Sequence, residues 1–470
     1  MERAEAEAIY DAGREAVVGV LLRMDRQIAA LTRRVEKLER QLQRNSRNSS
    51  QPPSQDPPGA PPRRGKDRSG RKQGGQPGHE GRGRELLPAS AVDEVVDHWP
   101  ARCECGHVFC EGELVAVNDP ARHQVEELPR LAVRVTEHRC QRLRCPACGA
   151  QRTGQLPAEV AASAFGPRLQ AAIAALSVRN RISRRDAVEL CEELFGARIA
   201  TGTIDHILAR TADALGRPHE QLLERMRRSV HVNVDETGWR LRGSQRALWG
   251  AFTDNIAVFQ IAPDRHEDRL RQLLADHQGI VTSDRWWAYD HLPLARRQVC
   301  WSHLQRDFTA HAEGLGAERE FGEAGLAVCE RLFWAWEIYQ HTHDRRQLRL
   351  TMRALRRQLK PTLRQHNRPW ARYKRSRGMA RNLLKVWPAL WTFADRRGVQ
   401  PTNNHAERGL RGAVIYRKLS LGSQSEHGER RIERLLSAST TCRLQRRSLH
   451  AYLTELLTAH ARGDPLPRLA

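Results

Sequence analysis

The stretch Ser229-Val-His-Val-Asn-Val-Asp-Glu-Thr-Gly-Trp239 decides how the chain is read. Val230, Val232 and Val234 alternate with Ser229, His231, Asn233 and Asp235. A period of two marks a half-buried β-strand. The valines share one face. Asp235 falls on the other, at the strand's end, before the polar break Glu236-Thr237-Gly238. A carboxylate placed there is held by a rigid sheet yet faces solvent or a ligand. Taken alone, the stretch favours a plainer reading in which Asp235 opens a turn.

The residues downstream shift that balance. Ala247–Asp254 and Ile256–Pro263 read as two further strands of a meander, and Glu267–His277 as a helix. Gly279–Asp284 is a short apolar strand ending in a second carboxylate, followed by Trp286, Trp287 and Tyr289. Arg297–Phe308 reads as a strand running into a helix. Three strands, a helix and further strands match the order of a ribonuclease-H-like sheet, with Asp235 and Asp284 ending neighbouring strands. A long, basic helical segment follows. In Pro401-Thr-Asn-Asn-His-Ala-Glu-Arg-Gly-Leu-Arg411, Asn403 or Asn404 caps a helix whose first turn carries Glu407, a favourable place for an acid. Three carboxylates suit hard divalent cations. Two Mg²⁺ (or Mn²⁺) ions clamped about 3.5–4 Å apart activate a nucleophile and stabilise the leaving oxygen of a phosphodiester.

Charge agrees with a polyanionic partner. The 470 residues carry 78 Lys plus Arg against 55 Asp plus Glu, a net of +23. Such an excess favours nucleic acid first and an acidic membrane surface second. No apolar run reaches about 18 residues, so no membrane span is expected. The N-terminus lacks the basic start and apolar block of a secretory signal, which points to a reduced cytoplasm. Six of the ten cysteines lie between Cys103 and Cys148. In a reduced compartment such a cluster reads as a metal site in preference to disulfides. Cys145-Pro-Ala-Cys148-Gly is a standard zinc knuckle. Cys103-Glu-Cys105-Gly is one residue short of it, and Cys110 or His107 can stand in for one of its ligands. The expected ligands of a structural Zn²⁺ are Cys103, Cys105, Cys145 and Cys148.

The remaining segments divide the chain. Leu21, Met24, Ile28, Leu31, Val35, Leu38 and Leu42 are spaced alternately by three and four, a heptad seam expected to pair copies of the chain. This gives a coiled coil over 15–45 and a homodimer or higher oligomer. Residues 46–90 form a Pro-, Gly- and Ser-rich basic linker, with Arg63, Arg64, Lys66, Arg71 and Lys72 as candidate phosphate contacts. The zinc module occupies 91–160. Residues 161–228 contain two amphipathic helices joined around Phe195-Gly196-Ala197, a helix-turn-helix-like pair with Thr201 or Thr203 as cap of the second and Arg184 and Arg185 on a basic face. The catalytic fold covers 229–308 and 398–440. It is interrupted by the insertion at 309–397 and followed by a C-terminal helical segment, 441–470. The fold class is therefore multidomain α+β.

Taken together, the chain resembles the DDE transposases of the insertion-sequence sixty-six family, the large TnpC-type proteins of bacterial mobile elements. The likeness runs through GRKQGGQPGHEG, the cysteine module, VDETGW, SDRWWAY, CWSHLQRDF and PTNNHAERGLRGAVIYRK. It implies that Asp235, Asp284 and Glu407 are a metal-binding triad on the interrupted ribonuclease-H-like fold. Cys300 and His303 match a C-x-x-H element that supports the site or the insertion. Arg408, Arg411, Arg417 and Lys418 lie close enough in sequence to Glu407 for phosphate contact. The implied activity is binding of terminal inverted repeats, cleavage with water, and joining of the freed 3′-hydroxyl to target DNA. Element ends and target DNA are the implied partners, with accessory proteins of the same element beside them, in the nucleoid of a bacterial cytoplasm. Two rivals stand beside this reading: a catalytically silent, domesticated DNA-binding protein, and a metal-dependent nuclease that never joins.

Overall fold

In the computed structural model, residues 85–114, 118–129, 131–369 and 374–469 are described, with scattered positions from 10 to 31. The chain forms two compact units. One comprises Pro62–Val135 with Glu193–Ala197, and the other Met1–Pro61, Thr136–Glu192 and Arg198–Ala470. The smaller unit is mostly irregular. The Gln124 amide accepts from the Leu87 N–H (2.8 Å) and returns a bond to its carbonyl (3.0 Å). The Val133 N–H donates to the Phe195 carbonyl at 3.0 Å. Of the heptad seam, Leu21, Met24, Ile28 and Leu31 are described, on helical backbone and exposed. Val35, Leu38, Leu42 and the basic linker up to residue 84 lie outside the described residues.

The larger unit contains a ribbon, β1 (Arg142–Arg144) against β2 (Gln151–Thr153). Helices α1 (Pro167–Val178), α2 (Arg184–Phe195), α3 (Thr201–Ala214) and α4 (Gly216–Arg227) follow. Gly196 takes φ +63° after α2, as the expected helix junction requires. The expected threonine cap is corrected. Ala200 precedes α3 and Thr201 is already its first residue, so no hydroxyl caps it.

Next come β3 (His231–Leu241), β4 (Ser244–Phe252), β5 (Ala257–Ala262), α5 (Glu267–Leu274), β6 (Ile280–Ser283) and β7 (Arg297–Val299). They form one sheet in the order β5-β4-β3-β6-β7. The first three strands are an antiparallel meander, while β6 and β7 run parallel to β3. The β3–β4 hairpin turns on Arg242 and Gly243, both at positive φ (48° and 85°), the two-residue loop whose twist matches the strands.

Two expectations about β3 change. Val230 is exposed and outside the strand, and Val232, Asn233 and Val234 are all buried, because a central strand is covered on both faces. Nor does the strand end at Asp235. Glu236, Thr237 and Gly238 pair with Trp249, Leu248 and Ala247 of β4, so the polar break is continuous β-structure.

The free edge of β5 is closed by a late helix, Glu426–Leu444. The intervening helices are α6 (Trp301–Ala312), α7 (Ala317–Thr342), α8 (Arg345–His366), α9 (Lys374–Lys385) and α10 (Asn404–Ser420). Then come α11 (Glu426–Leu444) and α12 (Leu449–Arg462). The N–H groups of Ala257, Phe259 and Ile261 donate to Thr441 Oγ1 (3.0 Å), Ser437 Oγ (2.9 Å) and Glu433 Oε1 (2.6 Å). Alternate strand residues advance roughly 6.8 Å and four helical residues roughly 6 Å, so the two ladders stay in step. The insertion packs around Phe321, Leu332, Leu355, Leu359, Leu383 and Trp391, in one apolar cluster that continues into Val299 of β7 and Trp301, Leu304 and Phe308 of α6. Among the described residues no helix is long and apolar enough to cross a membrane.

Helix α10 lies across β3 and β4. Its Gly409 faces the wholly buried Phe252 ring, which Gly250 of β4 also crowds. A Cβ at Gly409 would fall well inside van der Waals contact of Phe252 Cε1. Gly409→Ala gains about 1 kcal/mol of helix propensity. Overpacking costs about 1–3 kcal/mol, and the ring it meets is wholly buried. A net loss of stability is expected, read as a lower urea midpoint with unchanged slope. An unchanged or higher midpoint would contradict this packing.

Candidate active site

Asp235 is placed by a mismatch in pairing length. Parallel pairing of β3 with β6 ends at Asn233 opposite Thr282, whereas antiparallel pairing with β4 continues to Leu241. Two residues beyond the last parallel pair, Asp235 and Asp284 stand level on neighbouring segments of the sheet. Asp235 has β4 on one side, opposite Gly250, and no strand on the other. Asp284 follows β6 directly, and its Oδ1 accepts the Trp286 N–H at 2.9 Å. Arg297 of β7, wholly buried, donates to the Asp284 carbonyl (3.1 Å) and to Asp290 (3.1 Å), which fixes this loop from beneath.

Glu407 arrives on the first turn of α10, as expected. The means of anchoring differ from expectation. Asn403 precedes the helix, but its side chain does not cap it. The amide instead donates to the Val234 carbonyl (2.8 Å) and accepts from Asn233 (3.0 Å). Its backbone N–H donates to Cys300 Sγ at 3.1 Å. The fully buried Asn403 thus ties the start of α10 to the residue before Asp235 and to the start of α6. At the other end of α10, Arg417 donates to Thr237 Oγ1 (3.2 Å) and to the Gly238 carbonyl.

The acids act on one another. Burial, then the charges of Glu236, Asp284 and Glu407, push the Asp235 carboxyl well above the usual range. The Glu236 N–H opposes this by donating to Asp235 Oδ1 (3.0 Å). Burial also raises Asp284, against the Trp286 N–H and the charges of Arg297 and Arg285. Glu236 is pushed up to about 7, by burial first and Asp284 second. Its Oε2 accepts from the buried Tyr289 hydroxyl at 2.9 Å. Burial and the same acids hold that hydroxyl well above its ordinary value, so Tyr289 remains a donor. His303 Nδ1 lies 3.6 Å from Glu407 Oε1, and burial holds its imidazole down at about 4, hence neutral. Carboxylates that destabilise one another in this way fit hard divalent cations, whose charge would relieve the repulsion.

Glu236 and Arg297 are site residues to which the sequence reading gives no role; Tyr289 enters it only as following the strand of the second carboxylate, and Asn403 only as a helix cap. The signals were present: two acids in succession in Asp235-Glu236, and an arginine in a three-residue strand. Other expected residues have varied surroundings. Arg184 pairs with Asp205 at 2.6 Å. Arg185, Arg408, Arg411 and Lys418 are exposed. Arg63, Arg64, Lys66, Arg71 and Lys72 lie outside the described residues.

The cysteines form two separate turns. Cys103 N–H donates to the His107 carbonyl (2.8 Å), and Gly106 turns at φ +92° beside an antiparallel bridge of Arg102 with Val108. Cys145 N–H donates to the Ala150 carbonyl (2.8 Å), and Gly149 turns at φ +72° between β1 and β2. The Cys105 N–H lowers the Cys103 thiol, and the Cys148 N–H lowers that of Cys145. The first turn is the shorter because Cys-x-Cys lacks one residue of Cys-x-x-Cys.

The model of a family described as "Transposase IS66 family" matches residues 162–431. The model of a family of unknown function matches residues 2–85. An uncharacterized protein, y4hP, of Sinorhizobium fredii is 23% identical over 418 residues, covering 80% of this chain and 73% of its own.

The raised Glu236 has a signed consequence. A carboxyl whose folded value exceeds its unfolded one stabilises the fold fully below about 4.5 and loses that contribution as pH rises through about 7. His219, His231 and His303, held down at about 4, act in the opposite sense. The measurement is therefore a difference between wild type and Glu236→Gln in metal-free buffer. Relative to the variant, wild type should lose on the order of 1–3 kcal/mol between those pH values. A flat difference would show that Glu236 is not held as described.

Proposed function

The chain belongs to the IS66 family of transposases, and from that premise we propose that it cuts and joins DNA through Asp235, Asp284 and Glu407. One observation carries the reading: the parallel pairing that stops two residues short of both aspartates, with α10 bringing Glu407 to the same place. These three residues would hold two Mg²⁺ or Mn²⁺ ions. Bound there, such ions activate a nucleophilic oxygen and stabilise the leaving one. Burial of the acids keeps the site rigid and partly dry. Asn403 and Arg297 hold the carboxylate-bearing segments at fixed separation. Tyr289, a permanent donor, orients Glu236 beside Asp235. Water is the nucleophile for cleavage, and the freed 3′-hydroxyl for joining to target DNA.

The remaining features support a DNA partner. Arg408, Arg411 and Lys418 are exposed on the helix that carries Glu407 and would meet phosphates. On α8, Leu348, Met352, Leu355, Leu359 and Leu363 face inward, while Arg346, Arg353, Arg357 and Arg364 are exposed. The linker arginines and lysines, with Arg184 and Arg185, would add to the footprint. The two cysteine turns each offer a thiolate pair to structural Zn²⁺. The exposed seam at Leu21, Met24, Ile28 and Leu31 would pair copies of the chain.

A strand-transfer assay with end DNA, both intact and pre-cut, and with Mg²⁺ or Mn²⁺, tests the reading. Wild type should cleave and join. Asp235→Asn should lose both by a factor of about 10³ or more while still shifting end DNA. Full strand transfer by the variant would sink the assignment. Cleavage without joining would make the protein a nuclease, and binding without cleavage a silent DNA-binding protein.

A further inference from the structure

Cys300 immediately precedes α6, and its sulfur lies under three backbone N–H groups: that of Asn403 at 3.1 Å and those of Ser302 and His303. The turn at Cys145 shows the same arrangement. There the sulfur receives N–H groups from Ala147 and Cys148, again two and three residues on. N–H groups aimed at sulfur favour the thiolate, the form that binds metal. In Cys300-Trp-Ser-His303 the third residue on is histidine where the Cys145 turn has its second cysteine.

A third ligand is at hand. Cys300 Sγ, a ring nitrogen of His303 and a carboxylate oxygen of Glu407 all lie within 4.8 Å of one another. His303 Nδ1 and Glu407 Oε1 are buried atoms without a hydrogen-bond partner among the described residues, and they face each other across 3.6 Å. Buried polar atoms left unsatisfied call for an explanation, and an ion between them supplies one.

We propose that Cys300, His303 and Glu407 form a second metal site, for one divalent ion of the zinc class, which shares Glu407 with the acidic site. Sulfur and imidazole donors select such an ion over Mg²⁺, and three protein ligands leave a fourth position open. Burial pushes the free Cys300 thiol up to about 11, so binding displaces a proton from sulfur. Because Glu407 serves both sites, a zinc-class ion draws it away from Asp235 and Asp284. The second site stands independently of the strand-transfer reading. Only the competition for Glu407 rests on it, and both are measured without DNA.

Full-length protein is titrated with Co²⁺, and thiolate-to-cobalt absorption per chain is compared between wild type and Cys300→Ser. Every other cysteine is common to the two. The variant should lose one thiolate's share of the absorption and one bound ion per chain, and His303→Ala should weaken the same component roughly tenfold or more. Equal absorption and stoichiometry in wild type and Cys300→Ser overturn the site. Circular dichroism checks folding, and if Cys300→Ser is unfolded, His303→Asn carries the same comparison. Mn²⁺, followed by its paramagnetic resonance, reports the acids. Zn²⁺ displaces Mn²⁺ from carboxylates directly, so the comparison is of concentrations: wild type should lose Mn²⁺ at a Zn²⁺ concentration roughly tenfold lower than Cys300→Ser, and equal midpoints overturn the competition. A wild-type chain that binds cobalt through Cys300 yet takes up no Mn²⁺ supports the second site and counts against the acid-site reading.

Discussion

Burial of carboxylates that also crowd one another is the constraint that the larger unit is organised around. Asp235, Glu236, Asp284 and Glu407 come from three separate segments, and burial first, then the neighbouring acids, raise the cost of charging Asp235 and Glu236. Left to themselves, such groups would separate or take up protons. The chain resists separation with neutral and cationic groups fixed in the protein. Asn403 spends its amide on two residues of β3, and Arg297 fixes the Asp284 loop from a position without solvent. Neither residue needs to touch a substrate. Their work is to keep like charges near one another, which is what a cation site requires before any cation arrives.

Much of this was legible in the sequence, in a specific sense. The alternation around Val232 and Val234, the apolar run before Asp284 and the capping-like segment before Glu407 identified the three acids and their elements. Local patterns report local conformation, and these acids sit where local patterns are strong. The misreadings share one cause. Glu236-Thr237-Gly238 looked like a break because polar and small residues usually end strands, yet pairing with β4 overrides that preference. Asn403 looked like a cap because asparagine favours that position. Its actual partners are about 170 residues away, which no local pattern encodes. Arg297, likewise, is a charged residue in a buried strand only because Asp290 and the Asp284 carbonyl await it.

The basic excess divides in the same way between visible and hidden roles. On α8, Arg345, Arg349 and Arg356 hold the segment Ala394–Arg396, and Arg356 and Lys360 lie over Trp391 and Trp387. These cations are committed to the fold of the insertion. The outward arginines of the same helix, Arg346, Arg353, Arg357 and Arg364, are exposed to solvent. Net charge alone could not separate the two groups, because each guanidinium reads identically in the sequence.

The ladder between β5 and α11 also bears on the order in which the protein is made. The donors lie at Ala257, Phe259 and Ile261, and their acceptors come 172 to 184 residues later. At about 5–20 residues per second, the ribosome takes roughly 9–37 seconds to supply them. Throughout that interval the nascent sheet has an open edge, and an open edge invites pairing with another chain. The same wait applies to Glu407 and Asn403, which emerge in the same late stretch. Completion of the acid cluster and closure of the edge are thus successive late events, and a chain that stops before α10 lacks both.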